Sequence, residues 1–307
     1  MKNRLQKIPI PMAALILGLA ALGNLWSTTS PLIRMIFGGV ALGLFLAYIL
    51  RLLLYPKKAM KEMDNPVMAS IFAALPMSMM IFATYFKQWL PALAPIWWWS
   101  GLLLHTLLIL WFTFKHVFPL KIEKLSPTWF VLYVGIACVG VTAPVVGQKV
   151  GGMIAVYFAI AALVVLLPLM TLRYFKGKPL PEQLKPTWMI FAAPTSLCIA
   201  GALASGTNPH PVLIISLQII ALLCYIAVLP SSLSLFTRTF SPAFSAYTFP
   251  FVISAIAVKG SLVWLKAQGI EYTVLSMLLP ISFWIATLFT ITALLRYLIF
   301  LFDARSN

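Results

Sequence analysis

Few side chains in this sequence have the chemistry to make or break bonds, and those few are scattered. Cys138, Cys198 and Cys224 lie inside apolar runs, with no CxxC spacing and no accompanying histidine pattern, so they read as packing residues. All six acids, Glu62, Asp64, Glu123, Glu182, Glu271 and Asp303, fall in loops, at the edges of apolar segments or in the tail. Of the three histidines only His105 sits deep in an apolar run, where a hydrogen-bonded packing role outweighs a relay. No nucleophile stands beside a base, no metal constellation forms and no carboxylates pair in the interior. That argues against an enzyme and predicts neither metal nor cofactor.

The same residue types speak to a different chemistry, the sorting of solutes by charge. Proton-driven carriers hold ionisable relays at depth, and cation pathways carry acidic rings. With no carboxylate embedded in an apolar segment, both are disfavoured and small anions of the chloride, nitrate, malate or sulfite class are the favoured cargo. A nearly uncharged interior holds an ion weakly, and weak holding favours fast exit. Thr195 and Ser196, directly after Pro194, are candidate lumen hydroxyls, although such groups as often bond their own helix. Lys259 is a candidate for a pore mouth, with a snorkelling lysine as the alternative.

The elements that must position these groups follow from composition. The 307 residues are 62% hydrophobic and 9% charged, with a mean hydropathy of +0.99, where soluble domains are about 25% charged. The chain is therefore a polytopic membrane protein. Its net charge of +16 does not indicate nucleic acid, because the cations fall in short breaks between apolar runs and not on one soluble face. Spans of about 20 apolar residues are predicted at approximately 9–26, 31–54, 66–86, 94–117, 127–146, 150–172, 186–205, 211–235, 242–264 and 272–300. "WWW" at Trp97 to Trp99 reads as an interfacial anchor on span 4.

One phrase recurs at the start of the odd spans. "SPTWFVLYVG", "KPTWMIFAAP" and "SPAFSAYTFP" each pair a proline with a Gly or Pro eight residues on: Pro127 with Gly135, Pro186 with Pro194, Pro242 with Pro250. Pro66 with Pro76, and Pro9 and Pro11 with Gly18, are looser copies. The first proline is expected to open a helix and the second to kink it by removing an internal hydrogen bond. Seventeen cations flank the even-to-odd connections and the termini, against five (Arg34, Lys87, Lys149, Lys259 and Lys266) on the other side, which predicts both termini in the cytoplasm. Five hairpins of equal polarity, about 9–54, 66–117, 127–172, 186–235 and 242–300, form a parallel repeat within a single 1–307 transmembrane domain. The expected fold is all-α, with odd helices inside around a central pore and even helices outside.

The succession "ILGLAALG" (Ile16 to Gly23), "SPTWFVLYVGIACVGVTAP" (Ser126 to Pro144), "PLPEQLKPTWMIFAAPTSLCIAG" (Pro179 to Gly201) and "AYTFPF" (Ala246 to Phe251) resembles the tellurite-resistance/dicarboxylate transporter family. That family includes bacterial TehA proteins and fungal malate carriers and is related to the plant guard-cell slow anion channel. The resemblance covers all ten spans. It implies a homotrimer in the bacterial inner membrane, each protomer with a pore lined by the odd helices and closed by a phenylalanine on span 9. The matching residue here is Phe249, before Pro250, with a packed core phenylalanine as the alternative. Where family members carry glycine at the bend of span 1, this chain has Ala14. Ala14, Pro76, Gly135, Pro194 and Pro250 are thus the expected pore-shaping positions. Members differ between inorganic anions and C4-dicarboxylates, so an anion channel stands first and a coupled carrier of malate, sulfite or tellurium oxyanions second.

Overall fold

Proline sets where four of the ten spans begin. Pro31, Pro66, Pro211 and Pro242 occupy first-turn positions, where a missing N–H costs nothing. Ser30, Asn65, His210 and Ser241 precede them and accept from the backbone N–H of Ile33, Val67, Val212 and Ala243. The structure, a computed structural model, describes residues 2–118, 125–177, 179–206 and 208–303.

Among the described residues, nine helices are long and apolar enough to cross a membrane: Pro31–Leu54, Pro66–Trp89, Leu93–Val117, Trp129–Val146, Lys149–Lys176, Glu182–Ala204, Pro211–Thr237, Pro242–Ala267 and Thr273–Phe302. They are spans 2 to 10. Span 1 is the 15-residue helix Met12–Trp26, entered through a tight turn in which Met12 and Ala13 donate to the Pro9 and Ile10 carbonyls.

Burial sorts the spans into two layers. Spans 3, 5, 7 and 9 are 67–83% buried across their most apolar windows, whereas spans 2, 4, 6, 8 and 10 are only 28–33% buried. In span 1 nearly every residue is buried. Span 1 packs on span 3, 3 on 5, 5 on 7, 7 on 9, and 9 returns to 1, closing a ring of five. Each even span lies outside it, against the odd span that precedes it. The outer faces keep bare hydrocarbon, such as Leu46, Leu103, Val164, Leu223 and Trp284, as a bilayer requires.

The inner helices are broken, not bent. Span 3 comprises Pro66–Ile71 and Ala74–Trp89. Span 5 alternates α and 3-10 turns around Gly135–Ala137. Span 7 is a 3-10 helix, Glu182–Ala192, followed by an α-helix, Ala193–Ala204. Span 9 is a 3-10 helix, Pro242–Tyr247, then an α-helix, Phe249–Ala267. This corrects the expected role of the second proline. Pro194 and Pro250 stand in the first turn of a fresh α-helix, so they interrupt no hydrogen bond and simply open the second half. Pro186 is likewise not the start of span 7 but lies inside its 3-10 segment.

Two further sequence readings change. Trp97 to Trp99 is not a single interfacial anchor: only Trp99 is exposed, while Trp98 is buried and donates to Thr142 at 2.8 Å. Successive helix positions turn by about 100°, so three adjacent tryptophans cannot share a face. At the cation-rich end, buried Arg51 pairs with Glu62 of the short helix Pro56–Glu62, and Lys115 donates to Asp64 at 2.6 Å. The Lys115 hydrogen bond holds the Asp64 carboxyl below the usual carboxylate range.

Candidate pore

Three cavities lie in series along the axis of the inner ring. A small chamber of about 80 Å³ sits at the N-terminal ends of the odd spans, between residues such as Pro11, Val67, Thr187 and Ser241. A central void of about 30 Å³, the room of roughly one water, draws residues from all five odd spans. Beyond it, a vestibule of about 310 Å³ opens between their C-terminal ends.

The side chains that border two cavities are the partitions between them. Phe249 and Leu197 line both the central void and the vestibule. Ile71 lines both the central void and the N-terminal chamber. The axis therefore carries two apolar constrictions, an aromatic one and an aliphatic one. Ser245 carries the only side-chain hydroxyl among the residues lining the void between them.

Phe249 is held where it is by a break in the backbone. Thr248 links the 3-10 and α halves of span 9 at φ −100° and ψ −89°, outside every regular region. Its hydroxyl is placed to donate to Ala14 O at 3.2 Å and to Ser245 O at 2.7 Å, clasping the break to span 1. Gly18 makes the approach possible: a Cβ there would fall within the Thr248 side chain and 2.9 Å from the Phe249 nitrogen. Phe249 itself is 6% exposed.

Of the six expected gate and kink positions, Phe249, Ala14, Gly135, Pro194 and Pro250 converge on the central void. Pro76 does not. Its carbonyl faces Gly101 of span 4, and the neighbouring Met77 lines the void instead. The hydroxyls also divide from the axis. Ser196 lies 3.2 Å from Ser254 and donates to Ala192 O at 3.0 Å, while the single Ser254 hydroxyl proton faces both Pro250 O at 2.8 Å and Ala192 O at 3.0 Å. The two serines line a side pocket with Gln218 and Tyr225, outside the ring. Thr195 is buried, lines none of the three axial cavities and its hydroxyl has no hydrogen-bond partner. His105 is buried behind span 5, with Nε2 2.8 Å from Leu132 O, and is likewise off the axis.

Charge appears only at the wide end. Lys259 lines the vestibule and donates to Thr28 Oγ1 at 2.6 Å. Arg34, from the start of span 2, reaches over the ring to line it as well. Its Nε donates to Asn24 Oδ1 at 3.2 Å and one terminal nitrogen to Thr84 O at 3.0 Å, with the guanidinium 4.8 Å above the Tyr85 ring. Among the described residues, no acid lines any of the three cavities. Sequence reasoning counted Arg34 among the outer cations without bringing it to the mouth, and it gave no signal for Leu197, Ile71 or Met77, apolar residues in apolar spans. Gly18 and Thr248 were visible in the repeated phrase, but not their contact.

The axial cavities are thus walled by five inner helices, four of them broken, with cations at the wide end and apolar side chains at the narrowest. The family described as SLAC1, voltage-dependent anion channel, matches residues 7–302. No curated protein matches the chain.

Proposed function

Because the chain belongs to the SLAC1 family of anion channels and transporters, we propose that it is an anion channel whose axis is closed at Phe249. The observation that carries this reading is the position of the ring, bordering the central void on one side and the vestibule on the other. Displacing it joins the two spaces without rearranging the helices. Arg34 and Lys259 raise the local anion concentration above the ring, and the void beneath offers an ion a single hydroxyl, that of Ser245, and no charge among its lining residues.

The coupled-carrier reading lacks such support. A proton relayed by the protein needs a titrating group on the path, and the one deep histidine, His105, lines none of the axial cavities; a proton travelling on the substrate is tested by the malate arm below. The orientation follows the cation count, with both termini in the cytoplasm of a bacterial cell and the vestibule facing outward. A homotrimer in lipid, each protomer with its own path, completes the reading.

The deciding experiment measures currents from Phe249→Ala in planar bilayers with mixed chloride, nitrate, malate and sulfite. An anion current with reversal potentials set by the anion gradients is expected. Malate accumulation that requires an inward proton gradient would favour the carrier instead.

A further inference from the structure

The roomiest of the described cavities is not on the axis. About 690 Å³ lies outside the inner ring at the cation-rich end, between the last turns of spans 6 and 8, with the 3-10 half of span 7 as its floor. Arg173, Lys185 and Arg238 line it, one from each side. The acid beside them, Glu182, pairs with both Lys185 and Arg238, the latter at 3.0 Å, and does not itself line the cavity. Lys185 and Arg238 carry two charges against the one of Glu182, so this side of the groove keeps a positive excess. Its floor is aromatic: Trp188 stacks on Tyr174 at 3.9 Å and meets Phe191 at 4.4 Å.

We propose that this groove binds the phosphate of an anionic phospholipid from the cation-rich leaflet. The walls argue for a lipid. Span 6 presents Val164, Val165, Leu172 and Phe175, and span 8 presents Leu223, Ile226 and Leu233, all exposed and leading toward the groove. Acyl chains lying on this hydrocarbon bring a phosphodiester to the cations at the level where indole and phenol rings settle. Basic pockets between transmembrane helices at the cytoplasmic side suit such head groups.

Occupancy would reach the axis through span 7. Lys185 and Trp188 face the groove, while Leu184 and Thr187 of the same 3-10 segment line the N-terminal chamber and Ile190 the central void. A lipid pinning one face fixes the other. This coupling rests on the pore reading above; the binding does not.

The test is native mass spectrometry of the purified chain from phosphatidylcholine vesicles with and without phosphatidylglycerol, for wild type and for the Arg173→Gln, Arg238→Gln double variant. Wild type is expected to retain phosphatidylglycerol preferentially, and the double variant to lose that preference by roughly twentyfold. The Arg173→Lys, Arg238→Lys pair, which keeps the charge, is expected to restore most of it, separating charge loss from misfolding. Equal retention by wild type and the Gln variant overturns the proposal. So does displacement of phosphatidylglycerol by inorganic phosphate or ATP, which would assign the groove to a soluble anion. A parallel arm compares Phe249→Ala currents in the two lipid mixtures. Absent currents with intact lipid preference would fault only the pore reading; intact currents without lipid preference would fault only this one.

Discussion

Replacing Phe249 by alanine separates a plug from a packing residue. The ring is 6% exposed, and taking a phenylalanine side chain out of such contacts costs about 1.5–3 kcal/mol. At about 1.4 kcal/mol per factor of ten, the closed arrangement outweighs the displaced one by roughly ten- to 150-fold. Removing the ring removes that preference, so the anion conductance of Phe249→Ala is expected to rise by one to two orders of magnitude in oocytes or planar bilayers. The same truncation costs stability, about 3–5 kcal/mol for a ring packed on all sides. A ring with voids above and below has fewer contacts to lose, so the loss belongs at or under the low end of that range. Phe249→Leu keeps more of the packing and should give an intermediate current. A Phe249→Ala protein that stays folded by thermal melting in detergent, yet conducts no better than wild type or passes cations, would refute the assignment.

Three other outcomes follow from the same geometry. Ile71→Ala added to Phe249→Ala should raise single-channel conductance further, because the aliphatic constriction remains after the aromatic one is gone; an unchanged conductance would show that Ile71 does not limit flow. Arg34→Gln with Lys259→Gln should lower anion current by up to about fivefold at low ionic strength and much less at high salt, since each mouth charge about 8 Å from a passing ion is worth about 0.5 kcal/mol in water and is screened over about 10 Å. Gly18→Ala should cost about 1–3 kcal/mol of stability by overpacking and alter conductance by shifting Thr248 and Phe249, whereas Gly39→Ala, whose Cβ would meet nothing within 4 Å, should do neither in melting or current measurements.

The division into inner and outer helices was legible because it is written twice, in the recurring proline phrase and in the spacing of apolar runs. Proline chemistry was less legible. A proline eight residues into an apolar run looks the same whether it kinks a continuous helix or opens a new one, and only the 3-10 segments ahead of Pro194 and Pro250 distinguish the two. Pro76 shows the limit of reading by offset: span 3 breaks at Phe72 and Ala73, ahead of the proline, so the register shifts and Met77 takes the axial position. Ser196 was visible as a hydroxyl after a proline, yet its partners, Ala192 O and Ser254, come from a break and a neighbouring span that no local pattern specifies.

Hydroxyls bridge the breaks in spans 7 and 9. In span 7, Ser196 donates to Ala192 O from the side of a pocket outside the ring. In span 9, Thr248 is placed to donate to Ser245 O and to Ala14 O of span 1. The central void is lined by apolar side chains and the Ser245 hydroxyl, with the positive charge reserved for the mouth. A throat lined this way holds no cation that would grip an anion. Its barrier is then the cost of shedding water in an apolar constriction, which is why the removal of one ring, and not the addition of a charge, is the change expected to open it.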